Sequence, residues 1–191
     1  MSQNIEIVGA QVAPELDAVR GLCRASRDWS YERYARDRAI VDAYYGAEAF
    51  EPLLVNLPLL HAAPAGAIRL AKIGGRPVGC IMFQRFRKDV CEMNRLFVAP
   101  EGRGYGVGHA LCEAAMVAAR RAGYRSMLLV TGPLHFEAQQ LYAKLGFSRR
   151  DPYHEMVPLV LERAVFMERV LTGPSVMGAR RPDDERPPRA A

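Results

Sequence analysis

Apolar residues alternate with polar ones over residues 5–8, the pattern of an opening strand, and then recur at helical spacing. Leu16, Val19, Leu22 and Cys23 share one face of that helix, Pro14 sits in its first turn, and Glu15 and Asp17 lie near its N-terminus. A second helix is predicted over residues 31–45, stopped by Gly46. The apolar stretch that follows is broken by Pro52, Pro58 and Pro64 and fixes no element. Residues 67–73 and 76–85 read as two strands joined by Gly74-Gly75, a dipeptide that tolerates positive φ at both positions, and so as a hairpin. Residues 90–98 form a third strand. Leu111, Ala114, Ala115, Ala118 and Ala122 then set out a helix over 107–122, with Gly123 where a left-handed cap is wanted. A buried strand over 126–131, a short helix over 136–145 closed by Gly146, and a last strand over 164–171 complete the order.

Half of the 191 residues are apolar and a quarter are charged, an ordinary globular composition that suits one domain over residues 1–172. From residue 173 the chain turns rich in Pro, Gly and charge and is expected to be a disordered tail. The longest uncharged run, residues 52–68, holds three prolines and cannot span a bilayer as one helix. Residues 1–13 lack the basic start and apolar core of a secretory signal, so the expected location is cytoplasmic, away from membranes. Cys23, Cys80, Cys91 and Cys112 are widely spaced without a CxxC pair and read as buried thiols, not as metal or redox ligands. The net charge of +5 is mild, and the densest basic cluster is only Arg85, Arg87 and Lys88. A nucleic-acid partner is not expected from such a surface.

The chemistry concentrates in Arg103-Gly104-Tyr105-Gly106-Val107-Gly108-His109, between a strand and a helix of small residues. Glycines let the backbone approach a ligand and turn several N–H groups toward one point, the helix start adds about half a positive charge, and Arg103 supplies a forked donor for phosphate oxygens. A nucleotide P-loop would need Gly-Lys-Ser/Thr at the helix start, where His109 and Ala110 stand instead. A dinucleotide fold would need GxGxxG and an acid at the end of the next strand, whereas these glycines run GxGxG and that strand ends at Thr131-Gly132.

Coenzyme A remains, and the loop with its flanks resembles the GCN5-related N-acetyltransferase (GNAT) family. Its pyrophosphate signature Gln/Arg-x-x-Gly-x-Gly/Ala is matched by residues 103–108, preceded by Arg95-Leu96-Phe97-Val98 and followed by residues 138–147, AQQLYAKLGF. The resemblance implies an α/β (α+β) fold: a mixed, mostly antiparallel sheet of about six to seven strands flanked by helices. It further implies an acetyl-CoA-dependent N-acetyltransferase without metal. In this family the fourth and fifth strands splay and the pantetheine arm pairs with backbone that would here be Leu96, Phe97 and Val98. The acceptor amine attacks the thioester directly, so no cysteine nucleophile is required.

An alkylammonium must first lose a proton, at roughly 4 to 5 kcal/mol at pH 7. Glu92 stands where the family often places a base, and acts there directly or through water, or else is a strand residue paired with a neighbour such as Arg95. Tyr142 matches the family's general-acid tyrosine, against the alternative of a core tyrosine packed on Phe147. His135 replaces an asparagine common in relatives and reads as a helix cap or an acid-base group near the thiol. Six aromatic residues, Trp29, Tyr31, Tyr34, Tyr44, Tyr45 and Phe50, crowd the segment that walls the acceptor site in relatives, among acids at 28, 32, 37, 42, 48 and 51. A small amine is the expected acceptor; a protein or peptide amine, or a CoA-sensing module without turnover, are the alternatives. Monomer and homodimer both fit the sequence.

Overall fold

The computed structural model describes residues 4–46 and 48–171, and the predicted tail from residue 173 lies outside them. Seven strands form one sheet: β1 (Ile5–Gly9), β2 (Ala67–Ile73), β3 (Arg76–Arg87), β4 (Val90–Val98), β5 (Ser126–Thr131), β6 (Ser148–Arg149) and β7 (Val165–Val170). Their spatial order is β1-β2-β3-β4-β5-β7-β6, and only the β4–β5 pair is parallel. Gly74 and Gly75 both take positive φ, 56° and 77°, so the hairpin turn between β2 and β3 uses the dipeptide as expected.

Helices α4 (Val107–Arg121) and α5 (Phe136–Lys144) cover one face of the sheet. There Leu111, Ala115 and Ala119 bury against Ile81, Met93 and Leu129, the alanines letting helix and sheet approach closely. On the other face, α1 (Ala13–Arg33) and α3 (Phe50–Leu60) place Val19, Leu22, Leu54 and Leu57 on Leu70, Met82 and Phe97.

The helix expected over residues 31–45 is divided. α1 runs on to Arg33, the chain turns at 34–37, and α2 (Arg38–Tyr45) begins anew. Tertiary contacts impose the break: the Tyr34 hydroxyl accepts the Leu134 N–H at 3.0 Å, and Arg33 donates to the Leu134 carbonyl and pairs with Glu137, each at 2.7 Å. The first part of the proline-rich stretch is the helix α3, which ends at Leu60 before Pro64. Pro52 falls in its first turn, where the missing N–H has no partner to lose. Phe50, Leu54 and Leu57 are buried at helical spacing despite Pro58. The one-turn helix α6 (Pro158–Leu161) precedes β7 and packs Val160 on α2.

His61, buried just after α3, donates Nδ1–H to the Phe83 carbonyl at 3.0 Å. Burial holds its pKa down at about 4, against about 6.5 in an unfolded chain. The unfolded state therefore binds more protons across that window, and this contribution to stability, full above pH 6.5, is lost as pH falls toward 4. Thermal melts from pH 7 to 4.5 should show the loss, and His61→Gln, which keeps an N–H donor without titrating, should lessen it, leaving the share of His135, whose pKa burial lowers to about 4 as well. An equally steep fall in the variant would clear His61.

Candidate active site

β4 carries a defect that opens the sheet. Between the pairs Cys80↔Phe97 and Met82↔Asn94 the β3 side advances two residues and the β4 side three, and the extra residue falls where Arg95 adopts φ 54°. Such a bulge bends its strand and raises the local twist. Parallel pairing with β5 runs only from Val90↔Ser126 to Met93↔Leu129. Beyond it lies a cavity of about 320 Å³, bounded by residues 93–98 on one side and 130–132 on the other.

The glycine turn lies at one end of this gap. Gly104 and Gly106 have φ of 80° and 83°, a region closed to most side chains, and Gly106 forms the N-cap of α4. The first intrahelical bond runs from Ala110 N–H to the Gly106 carbonyl, so the amides of Val107, Gly108 and His109 have no partner within the helix. Leu96, Phe97, Val98, Arg103 and Gly108 line the cavity, while Gly104, Tyr105, Gly106, Val107 and His109 form the turn beside it. Arg103 does not lie over the glycines. Its Nε donates to the Val98 carbonyl at 3.1 Å and its guanidinium stands 5.4 Å from the Trp29 ring centre, because that carbonyl is left unpaired where β4 leaves β5.

Tyr142 lines the cavity from α5, buried, with Phe147 packed at 5.9 Å between ring centres. Burial, then the neighbouring Cys112, pushes its pKa well above 10, so the phenol stays protonated. Glu92 is 7% exposed and does not pair with Arg95. Its Oε1 accepts from the Tyr153 hydroxyl at 2.9 Å and meets His154 Nε2 at 2.6 Å. Neither Glu92 nor these two partners is part of the cavity wall. Tyr153 and His154 belong to a segment without periodicity, and nothing in the sequence marked them.

His135 occupies the N-cap position of α5, but its side chain makes no capping bond. It turns into the cavity instead, with ring centres 5.3 Å from Trp29 and 5.6 Å from Tyr34. Its Nε2 is buried without a partner, and burial lowers its pKa to about 4, leaving the ring neutral at pH 7. Of the six crowded aromatics all but Tyr31 line the cavity; Tyr31 instead bonds Asp42 at 2.5 Å. None of the acids at 28, 32, 37, 42, 48 and 51 reaches it, and Asp37 and Glu51 pair with Arg163 and Arg24.

With the geometry in place, comparison with known proteins gives one answer. The sequence profile of the Acetyltransferase (GNAT) family matches residues 27–147. An IAA acetyltransferase of Azospirillum brasilense is 39% identical over 136 residues, 71% of this chain and 85% of that one. An uncharacterized N-acetyltransferase of Schizosaccharomyces pombe is 33% identical over 56% of this chain and 68% of its own length. The crystal structure of PaiA N-acetyltransferase from Thermoplasma acidophilum, in complex with coenzyme A, shares the fold with TM-score 0.64 at 19% identity, covering 87% of this chain and 99% of that one. The chain belongs to the GNAT family and is an acetyl-CoA-dependent N-acetyltransferase.

Cys91 and Cys112 are buried thiols whose pKa burial raises to about 12. A thiol held so far from its thiolate is a poor nucleophile. Intact mass measured after incubation with acetyl-CoA should show no acetyl adduct on the folded protein; a stable thioester at either cysteine would contradict direct transfer.

Proposed function

We propose that this protein acetylates the amine of a small molecule by direct attack on acetyl-CoA within a ternary complex. The observation that carries this reading is the cavity where β4 and β5 part, with unpaired helix amides at one end and a protonated tyrosine in its wall. Its enclosure between β4, α1, α2 and α5 suits a small acceptor better than a lysine on a folded protein.

The residues fit the donor. Val107, Gly108 and His109 offer amides to the diphosphate, and Gly104 and Gly106 leave its approach clear of side chains. Backbone of Leu96, Phe97 and Val98, free of β5, is available to the amides of the pantetheine arm. To use the Val98 carbonyl the arm displaces Arg103, which is then free to turn to a phosphate. Acetyl-CoA supplies an activated acyl carbon; the chain holds it and manages two protons. Glu92 takes the proton of the acceptor ammonium through water, since it is not part of the cavity wall, while Tyr153 and His154 fix Oε1 and leave Oε2 to accept. The amine nitrogen bonds to the thioester carbon, the C–S bond breaks, the departing thiolate takes the proton of Tyr142, and the proton that the new amide nitrogen sheds returns to the tyrosinate.

Calorimetry with acetyl-CoA and thiol release with a panel of amines test the reading. Tyr142→Phe should lower kcat at least about tenfold with acetyl-CoA affinity nearly unchanged. Glu92→Gln should lower turnover and remove the acid limb of the pH profile. A full rate in the first variant or an unaltered profile in the second removes that residue from the mechanism, and turnover of peptides alone overturns the small acceptor.

A further inference from the structure

Among the described residues, the cavity wall holds a cation without an acidic partner. Arg95 lines it with a buried Nε that has no hydrogen-bond partner, and among the described residues no carboxylate stands within ion-pair distance of its guanidinium. The other charges of the lining are accounted for. Arg33 pairs with Glu137, and Arg103 bonds Val98 and faces Trp29. Arginine cannot shed its proton at any working pH, so burial cannot neutralise it as it can a lysine. Burying a charged donor without an acceptor is unfavourable, and the arrangement is completed by an anion that arrives with a ligand.

Arg95 stands in the run of residues 93–98 that lines the cavity, at the position whose left-handed φ of 54° interrupts the strand's alternation. Asn94 brings a buried Oδ1 that is also without a partner. Asn94 Oδ1 and Arg95 Nε are closed to solvent, so what this wall offers the cavity is the outer edge of the Arg95 guanidinium, unpaired among the described residues, beside the apolar surfaces of Tyr44, Tyr45 and Phe97.

We infer that the acceptor is an amino acid: a molecule whose carboxylate is gripped by the outer nitrogens of Arg95 and whose apolar side chain lies on the aromatic wall. The inference rests on the acetyl-transfer reading above and names its substrate class. A carboxylate matches the planar fork of a guanidinium, and the pair is charge-assisted and bidentate. The diphosphate of the donor is a separate anion, taken by the helix amides at 107–109.

The test uses three matched acceptors, phenylalanine, phenylalanine amide and phenethylamine, with the same set built on leucine, followed by thiol release from acetyl-CoA. The expected result is a kcat/KM at least about tenfold higher for the free amino acids than for the amides and the decarboxylated amines. Arg95→Gln should abolish that preference by raising KM for the amino acids, leaving rates with the amines within about twofold and acetyl-CoA affinity by calorimetry unchanged; Arg95→Lys should restore part of the preference. Equal rates for all three compounds in the wild type overturn the carboxylate reading while acetyl transfer to small amines stands. Turnover of peptides only overturns both. A uniform loss on every acceptor in Arg95→Gln, or a loss of acetyl-CoA affinity, makes Arg95 structural or a donor contact and also overturns the inference.

Discussion

One residue out of step in β4 governs the rest of the molecule. Because Arg95 takes a left-handed backbone, β4 bends, its pairing with β5 ends after Met93, and main-chain groups that a regular sheet would consume are left facing a gap. A β-strand with unpaired N–H and C=O groups is a liability in most folds. Here the exposed edge is internal, roofed by α1, α2 and α5, and the Val98 carbonyl has already found a provisional partner in Arg103. The catalytic reading needs this parting: without it neither Tyr142 nor the β4 backbone would face a ligand, and the glycine turn would bind a diphosphate with nowhere to send its arm.

Holding the gap open takes work from elements far apart in the chain. Arg33 and Tyr34, at the end of α1, reach across to the segment after β5, where Leu134 and Glu137 receive them. These contacts fix the distance between the two sides of the opening and break what would otherwise be a longer helix. The same residues bring Trp29 and Tyr34 onto His135, so the far wall is aromatic, while the β4 wall sets Asn94 and Arg95 among apolar neighbours. A mostly apolar cavity with a few placed polar groups is shaped for discrimination among small molecules.

What could be read from the sequence follows the range of the interactions involved. The Gly74-Gly75 turn, the small-residue face of α4 and the glycine turn at 104–108 are set by local chemistry, and the structure has them where the pattern predicts. The resemblance carried by residues 95–98, 103–108 and 138–147 gave the sheet and its family. α3 was hidden because prolines obscure a helical period even when, as with Pro52, they sit where a helix accepts them. The break at 34–37 was hidden because its cause lies a hundred residues away. Tyr153 and His154 were illegible for the same reason: an irregular segment meets Glu92 only through the fold.

Arg95 is the instructive case, since it was in plain view as part of a motif and still could not be interpreted. Type and position suggest an ordinary strand residue that alternation would aim away from Asn94 or pair with Glu92. The structure denies both, giving Glu92 to Tyr153 and His154 and setting Arg95 on the cavity wall beside Asn94, where its own backbone interrupts the alternation. A left-handed conformation at a non-glycine residue, a buried cationic donor and a neighbouring unpaired amide oxygen are each unfavourable in the free protein. Their coincidence falls at the one wall of the cavity where an unpaired guanidinium edge stands ready for an anionic ligand. The bulge that opens the sheet for the acyl donor would then also set the chemistry demanded of the acceptor, so that one local distortion serves both substrates.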